Sequence, residues 1–398
     1  MASRFWTQFS LGDVVEVAAG NPAPQDASDF CKDGVLFIRM QDVGREHHTK
    51  NLIESTDKVT ENAIKKYRLR LFPVGSILIP KSGASINLNH RAMLGQYAYV
   101  VSHLAVLLPN HERLISEYLY YWSLTYDPRN QAQTTSLPSL PISLIKNAKI
   151  SIPPLPEQRR LVDILSHAEG IVRLRREAQK KAQELIPALF LDMFGDPAMN
   201  PRGWPVATIG QVIESADYGS SKKASDDGAG LPLIRMGNVD YTGYLDLFDL
   251  KYVDLSPEEV AQYRLYKGDV LFNRTNSKEL VGKTGLWDEP CEAVAASYFI
   301  RVRVVRNRLN PFYLWAFMNT AHMKKVLFET ARGAIGQANI NARELRSFRI
   351  GIPSLTSQNI FEWYCRDIFS IQSQQSIALE KAEAIFQSLL HRAFAGQL

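Results

Sequence analysis

Cysteine is scarce in this 398-residue chain: Cys31, Cys291 and Cys365 lie far apart and form no CxxC pair. That argues against a disulfide framework or a cysteine-based zinc module, so all three are read as reduced and structural. No run of about 18 apolar residues occurs, as a membrane-spanning helix would need. The opening MASRFWTQFSLGD lacks the basic and apolar regions of a secretory signal, so a cytoplasmic protein is expected. Charge of one sign is also in short supply, with 46 Lys and Arg against 41 Asp and Glu. So mild an excess permits nucleic-acid binding without demanding it. Segments 157–194 and 357–398 together carry ten basic and ten acidic residues, which leaves the excess in 1–156 (16 against 13) and 195–356 (20 against 18).

A catalytic constellation is missing too. Gly282-Lys283-Thr284 resembles the end of a phosphate-binding loop, but the earlier glycine that loop needs is Ser277 here. Asn21-Pro22-Ala23-Pro24 lacks the second proline and the aromatic that stacks a flipped base. His47, His48, His90, His103 and His111 have neither helical i, i+4 spacing nor cysteine partners, so zinc is not expected. Asp249-x-Lys251 has no supporting acid. These absences point to a binding or targeting protein with no catalytic residue, metal or cofactor of its own.

What is present is a repeat of about 200 residues. Trp6 and Leu11-Gly12 return as Trp204 and Ile209-Gly210, and Ile38-Arg39-Met40 returns as Ile234-Arg235-Met236. Tyr67-Arg68-Leu69 matches Tyr263-Arg264-Leu265, Gly75-Ser-Ile-Leu-Ile matches Gly268-Asp-Val-Leu-Phe, and Tyr118-Leu119 matches Tyr313-Leu314. Ile152-Pro153 and Gln158 return as Ile352-Pro353 and Gln358. Each copy has a mixed α and β half of roughly 150 residues, a proline hinge and a long helix. Strands are expected at 35–40, 76–79, 98–101, 270–272 and 298–304, and buried helices at 112–126 and 311–328.

The helices carry a heptad. Leu161, Ala168, Arg175, Ala182 and Leu189 are read as one core position, and Ile164, Ile171, Ala178 and Leu185 as the other. Adding 200 gives Phe361, Ile368, Gln375, Ala382 and Leu389, with Tyr364, Ile371, Ala378 and Ile385. About 38 residues make a rod of roughly 55 Å, and a shared coiled coil is expected. Pro187 should kink the first rod.

The stretch Ile152-Pro-Pro-Leu-Pro-Glu-Gln-Arg-Arg-Leu-Val-Asp-Ile-Leu, with its helix ending in Leu189-Phe-Leu-Asp-Met-Phe-Gly, resembles the first conserved helical region of Type I restriction-modification specificity subunits. Ile352-Pro-Ser-Leu-Thr-Ser-Gln through Leu390-His-Arg-Ala-Phe-Ala-Gly is similar to the second, with Thr356 and Ser357 in place of Pro-Glu. Gly268-Asp-Val-Leu-Phe-Asn-Arg-Thr and Gly282-Lys-Thr-Gly resemble a loop of the family's target recognition domains; Ser76-Ile-Leu-Ile-Pro-Lys-Ser-Gly is a looser version.

The resemblance implies an α+β fold: two mixed α/β target recognition domains joined by two long antiparallel coiled-coil helices, with an internal pseudo-twofold repeat. Its boundaries would be 1–153 and 198–353 for the recognition domains, and 154–197 and 354–398 for the helical regions. It implies a non-catalytic subunit that reads a bipartite double-stranded DNA target and directs methylation and restriction. The implied partners are two methyltransferase subunits and two motor-nuclease subunits, which hold S-adenosylmethionine, ATP and Mg²⁺. A self-contained nuclease or methyltransferase with a cryptic site, and a scaffold that joins proteins without DNA, are the alternatives.

Phosphate contacts would give affinity and register, and base-edge contacts the sequence. Candidates for phosphate are Arg45, Lys50, Lys81 and Arg91 in the first half, and Lys222, Lys223, Arg274, Lys278, Lys283 and Arg332 in the second. Candidates for base edges are the amides Asn87, Asn89, Gln131 and Gln133, then Asn276, Gln337 and Asn339. The cluster in 273–283 stands out.

Overall fold

The two heptad segments form uninterrupted helices, Leu155–Phe194 and Leu355–Phe394, 40 residues each, or about 60 Å at 1.5 Å per residue. The computed structural model describes residues 6–46, 50–83, 85–127, 139–226, 228–334 and 337–398. Helix starts follow from local chemistry. Pro156 occupies the first turn of the first helix, where a missing N–H costs nothing. The second helix has Thr356 there, and the Ser354 hydroxyl accepts from Ser357 N at 3.2 Å, a conventional serine cap.

The chain forms two compact units, Met1–Ala178 with Gln375–Leu398, and Gln179–Gln374. In the first unit the start of one long helix packs on the end of the other: Leu161, Leu165 and Val172 share a core with Phe386, Leu390 and Ala393. In the second unit Ile186, Phe190 and Phe194 share a core with Phe361 and Cys365. The pairing is therefore antiparallel.

The seam corrects one part of the heptad assignment. Leu161, Ala182 and Phe361 are buried as expected, but their companions are Leu165, Val172 and Ile186, one residue later than the second set read from the sequence. In the other helix the companions are Cys365 and Phe386. Ile171, Leu185, Tyr364, Ile371 and Ile385 face solvent instead, between 43% and 59% exposed. Both sets satisfy a 3.5-residue period, so the period alone could not separate them. At the polar core position, Arg175 donates to Gln375 Oε1 at 3.3 Å.

Each unit is built on a larger antiparallel-rich sheet and a three-stranded one. The first has a five-stranded sheet in the order 15–19, 104–109, 77–80, 92–94 and 51–52, and a three-stranded sheet of 58–59, 30–38 and 99–100. The second has a four-stranded sheet of 213–218, 299–304, 269–273 and 284–287, and a three-stranded sheet of 251–253, 231–234 and 294–295. The aromatic segments are buried helices, Ser116–Thr125 and Pro311–Met318; the single helix expected over 311–328 is two, because the chain ends one helix at Met318 and Thr320 caps a second, Ala321–Thr330. Their anchors repeat: Tyr118 donates to Ser151 O and Tyr313 to Gly351 O, each at 2.7 Å. Gly75 and Gly268 enter their strands at φ of 82° and 93°, a left-handed conformation that favours glycine.

Gln158 and Gln358 explain why the motif carries an amide at this point. Both are fully buried. Gln158 accepts from Ile115 N at 3.0 Å and donates to the carbonyls of Arg113 and Pro153 at 2.8 and 2.9 Å. Gln358 accepts from Asn310 N at 2.8 Å and donates to Pro353 O at 2.9 Å and Arg308 O at 3.4 Å. Each amide fastens the first turn of a long helix to the loop before the aromatic helix, satisfying backbone groups that burial would otherwise leave unpaired.

Candidate nucleic-acid interface

In the second unit the fully buried strand Asp269–Asn273 reaches the surface at Arg274. The chain continues as Thr275–Asn276, which pairs with Gln337–Asn339, which in turn pairs with Arg332–Ala334. This small sheet gathers five candidates from two stretches about 60 residues apart: Arg274 at its edge, then Asn276, Arg332, Gln337 and Asn339. Asn339 lies opposite both Thr275 and Arg332.

Arg274 is held from several sides. Its N–H donates to Tyr298 O and its carbonyl accepts from Ile340 N, both at 2.9 Å. Its guanidinium carbon lies 4.8 Å from the centroid of the Tyr218 ring, a cation–π geometry. Its Nε is sealed from solvent and has no hydrogen-bond partner. Lys278 places its ammonium 4.5 Å over Phe328. Tyr218 and Phe328 were not singled out in the sequence, where an aromatic at the end of a strand or on a helix looks like any core residue. Both are 45% exposed.

The amides are partly engaged. Asn276 Oδ1 accepts from Ser277 N at 2.9 Å and its Nδ2 donates to Asn273 Oδ1 at 3.4 Å. Asn339 Oδ1 accepts from the Thr275 hydroxyl at 3.3 Å. Lys222 is paired with Glu259 at 2.6 Å, and Lys223 is exposed.

Lys283 is a correction. It is 8% exposed, and its ammonium points inward to donate to Met236 O at 2.7 Å and to Val239 O. Burial pushes its pKa down. It ties the loop after Arg235 to the strand Thr284–Trp287 and offers no surface charge to a phosphate.

The first unit has a matching position. Lys81 N donates to His103 O at 3.0 Å and Lys81 O accepts from Leu140 N at 2.8 Å, the two bonds that Arg274 makes in the second unit. Arg91 is the second correction: it is wholly buried and donates to the carbonyls of Ser123, His90 and Tyr126 and to Asn89 Oδ1. Burial lowers its pKa to about 10. That makes it a brace for the turn after the aromatic helix. Asn89 shares in the brace at a left-handed φ of 52°. Asn87 is exposed on the short helix Ser85–Leu88, and Lys50 lies 5.2 Å over the Tyr121 ring. Arg45 falls on the helix Met40–Glu46. Gln131, Gln133, His47 and His48 lie outside the described residues.

Among the described residues no three His, Cys, Asp or Glu side chains are grouped to hold a metal ion, and no helix is long and apolar enough to cross a membrane.

Two copies of one mixed α and β module, each on a paired long helix and each with a cationic residue at the same backbone position, define a tandem-repeat recognition protein. The chain belongs to the family of the Type I restriction modification DNA specificity domain, whose model matches residues 4–183 and again 201–381. It is similar to the Type I restriction enzyme EcoKI specificity subunit of Escherichia coli K12, at 27% identity over 47% of this chain and 41% of that one. It is also similar to the MjaIX specificity subunit of Methanocaldococcus jannaschii, at 24% identity over 59% of this chain and 58% of that one. In these matches the chain spans less than two thirds of its relatives' lengths. In fold it resembles a chain from a structure of type I R-M complex assembly and conformational transition, with a TM-score of 0.61 and 17% identity over the whole of both chains.

Proposed function

We propose that this chain is the sequence-recognition subunit of a Type I restriction-modification enzyme, reading a bipartite DNA target and performing no catalysis itself. The carrying observation is the doubled DNA specificity domain, with the second copy gathering Arg274, Asn276, Arg332, Gln337 and Asn339 on one small sheet. Two linked readers raise each other's effective concentration only when the spacer fits the target, and the long helices would supply that spacer. Phosphate contacts would come from cations such as Lys81 and Lys278, and base discrimination from Arg274 and the amides.

The exposed apolar positions support a partner taken twice. Ile171 and Ile371 occupy the same heptad position in the two helices, as do Leu185 and Ile385. Apolar stripes left outside a seam fit the helices of another protein, and equivalent stripes fit two copies of it. Those copies would be methyltransferase subunits holding S-adenosylmethionine, joined for restriction by two motor-nuclease subunits holding ATP and Mg²⁺, in the cytoplasm.

Single-molecule sequencing of DNA from cells expressing the chain with its methyltransferase partner tests the reading. Methylated adenines are expected in two fixed half-sites separated by a constant nonspecific gap. DNA turnover by the chain purified alone, or a contiguous motif, would favour a self-contained enzyme.

A further inference from the structure

The two units make the same backbone bonds around Lys81 and Arg274, so their side chains can be compared position by position. Ala19 pairs with Ala105 in the first unit, and Tyr218 pairs with Ile300 in the second. The next residues match as well. Gly20 N donates to Leu104 O at 3.1 Å and Gly219 N to Phe299 O at 3.3 Å; Asn21 N donates to Val100 O at 2.6 Å and Ser220 N to Ala295 O at 2.7 Å. Ala19 and Tyr218 are therefore structural equivalents, as are Lys81 and Arg274. Where the first unit has a lysine and an alanine, the second has an arginine lying on a tyrosine ring.

We propose that Tyr218 is a positioning residue that presents Arg274 as a fixed two-donor fork to a guanine edge, making this pair a determinant of one base in the second unit's half-site. The inference rests on the DNA-recognition reading above and goes beyond it by assigning the base and the residue that orients its reader.

The chemistry separates the two positions. A lysine ammonium is a point charge with rotating donors, whereas guanidinium is planar and presents paired N–H groups. Main-chain bonds on both sides fix the origin of the Arg274 side chain, and the Tyr218 ring, 4.8 Å from the guanidinium carbon, gives that group a face to rest on. With Nε sealed, the terminal nitrogens are the donors left to project. A fork ordered before binding loses little rotamer freedom on contact. Guanine O6 and N7 form a paired acceptor that such a fork matches. Of the sheet positions around it Thr275, Asn276, Ala338 and Asn339 are neutral, and Arg332 opposite Asn339 is the other cation. Lys81, with alanine at the equivalent of the tyrosine, retains the chemistry of a phosphate contact.

The test uses the full-length chain with its methyltransferase partner, bound to DNA libraries randomised within each half-site. The parent is expected to prefer guanine at one position of the second unit's half-site by about 5- to 150-fold. Arg274→Ala should abolish that preference, Arg274→Lys and Tyr218→Leu should reduce it, and Tyr218→Phe should keep it. Selection in the other half-site should stay intact in every variant, which also shows that the assembly is folded. The proposal is overturned if Arg274→Ala still selects guanine as strongly as the parent. It is equally overturned if Arg274→Gln weakens all sequences alike while the slope of log affinity against log salt falls by about one, the mark of a phosphate contact. If the parent selects no sequence in either half-site, the recognition reading itself fails.

Discussion

Replacing Gln158 by methionine keeps the length of the side chain and removes all of its hydrogen bonds. The Ile115 N–H and the carbonyls of Arg113 and Pro153 then lose partners at 3.0, 2.8 and 2.9 Å. A buried polar group left unpaired costs about 1–3 kcal/mol. Three such losses, offset by the easier burial of a thioether, leave about 3–5 kcal/mol. Gln358→Met should cost somewhat less, about 2–4 kcal/mol, because its bond to Arg308 O is already long at 3.4 Å. Against a typical domain stability of about 5–15 kcal/mol, either change is large. With a urea slope of about 2 kcal/mol per molar, a loss of 3 kcal/mol moves the midpoint by about 1.5 M. Hydrogen exchange adds location: Ile115 and the helix Ser116–Thr125 should lose protection in Gln158→Met, and Asn310 and the helix Pro311–Met318 in Gln358→Met. Gln→Glu keeps the acceptor and loses the donors, so it should destabilise at neutral pH and recover partly as the buried carboxyl protonates in acid. Losses below about 1 kcal/mol in both methionine variants would refute the idea that these amides fasten helix to domain.

Three further outcomes are expected. Lys324 is largely buried, its ammonium 4.9 Å over the Tyr241 ring and without a hydrogen-bond partner, and burial lowers its pKa from 10.5 to about 8. The folded state therefore sheds this proton first, and stability should rise between about pH 8 and 10.5 by at most about 3 kcal/mol; denaturant titrations should show Lys324→Met lacking that increment. Ile171→Glu and Ile371→Glu place a charge on each exposed stripe, and native mass spectrometry of the co-expressed assembly should show one methyltransferase copy lost in each single variant and both in the double. Four residues inserted beside Gln179 lengthen the first helix by about 6 Å, so methylation mapping should find unchanged half-sites with a gap wider by one to two base pairs at about 3.4 Å each.

How far the sequence could be read depended on whether a feature leaves a periodic or repeated trace. The duplication did, because Tyr118 and Tyr313, Gly75 and Gly268, and Gln158 and Gln358 do the same mechanical work in each copy. The helices were equally plain over their whole length. The seam was half right: Ile164 and Leu165 are both large and apolar, and only packing against the second helix decides which turns inward. Charge was the poorest guide. Arg91 and Lys283 look like neighbouring candidates on paper, yet both spend their donors on backbone carbonyls, and nothing in a linear sequence marks a cation as a brace.

The pairing of Tyr218 with Arg274 was out of reach for a more specific reason. The offset between the copies is 193 residues at Arg274, 195 along the strand Phe299–Val304 that follows Tyr298, and 199 at Tyr218. Insertions between these points therefore slide the two members of the pair by different amounts. An alignment that matches Lys81 to Arg274 says nothing of what lies beneath either of them. Only the strand pairing shows that residue 19 and residue 218 occupy one place, and that one copy fills it with a methyl group and the other with an aromatic ring. On the proposed reading of a bipartite target, copies that recognise unlike half-sites would diverge at such points, where the backbone is held by shared hydrogen bonds and the side chain is free to change. The positions most worth exchanging between the two copies are therefore those with identical main-chain bonds and unlike side chains. The pair Lys81 and Ala19 against Arg274 and Tyr218 meets both conditions.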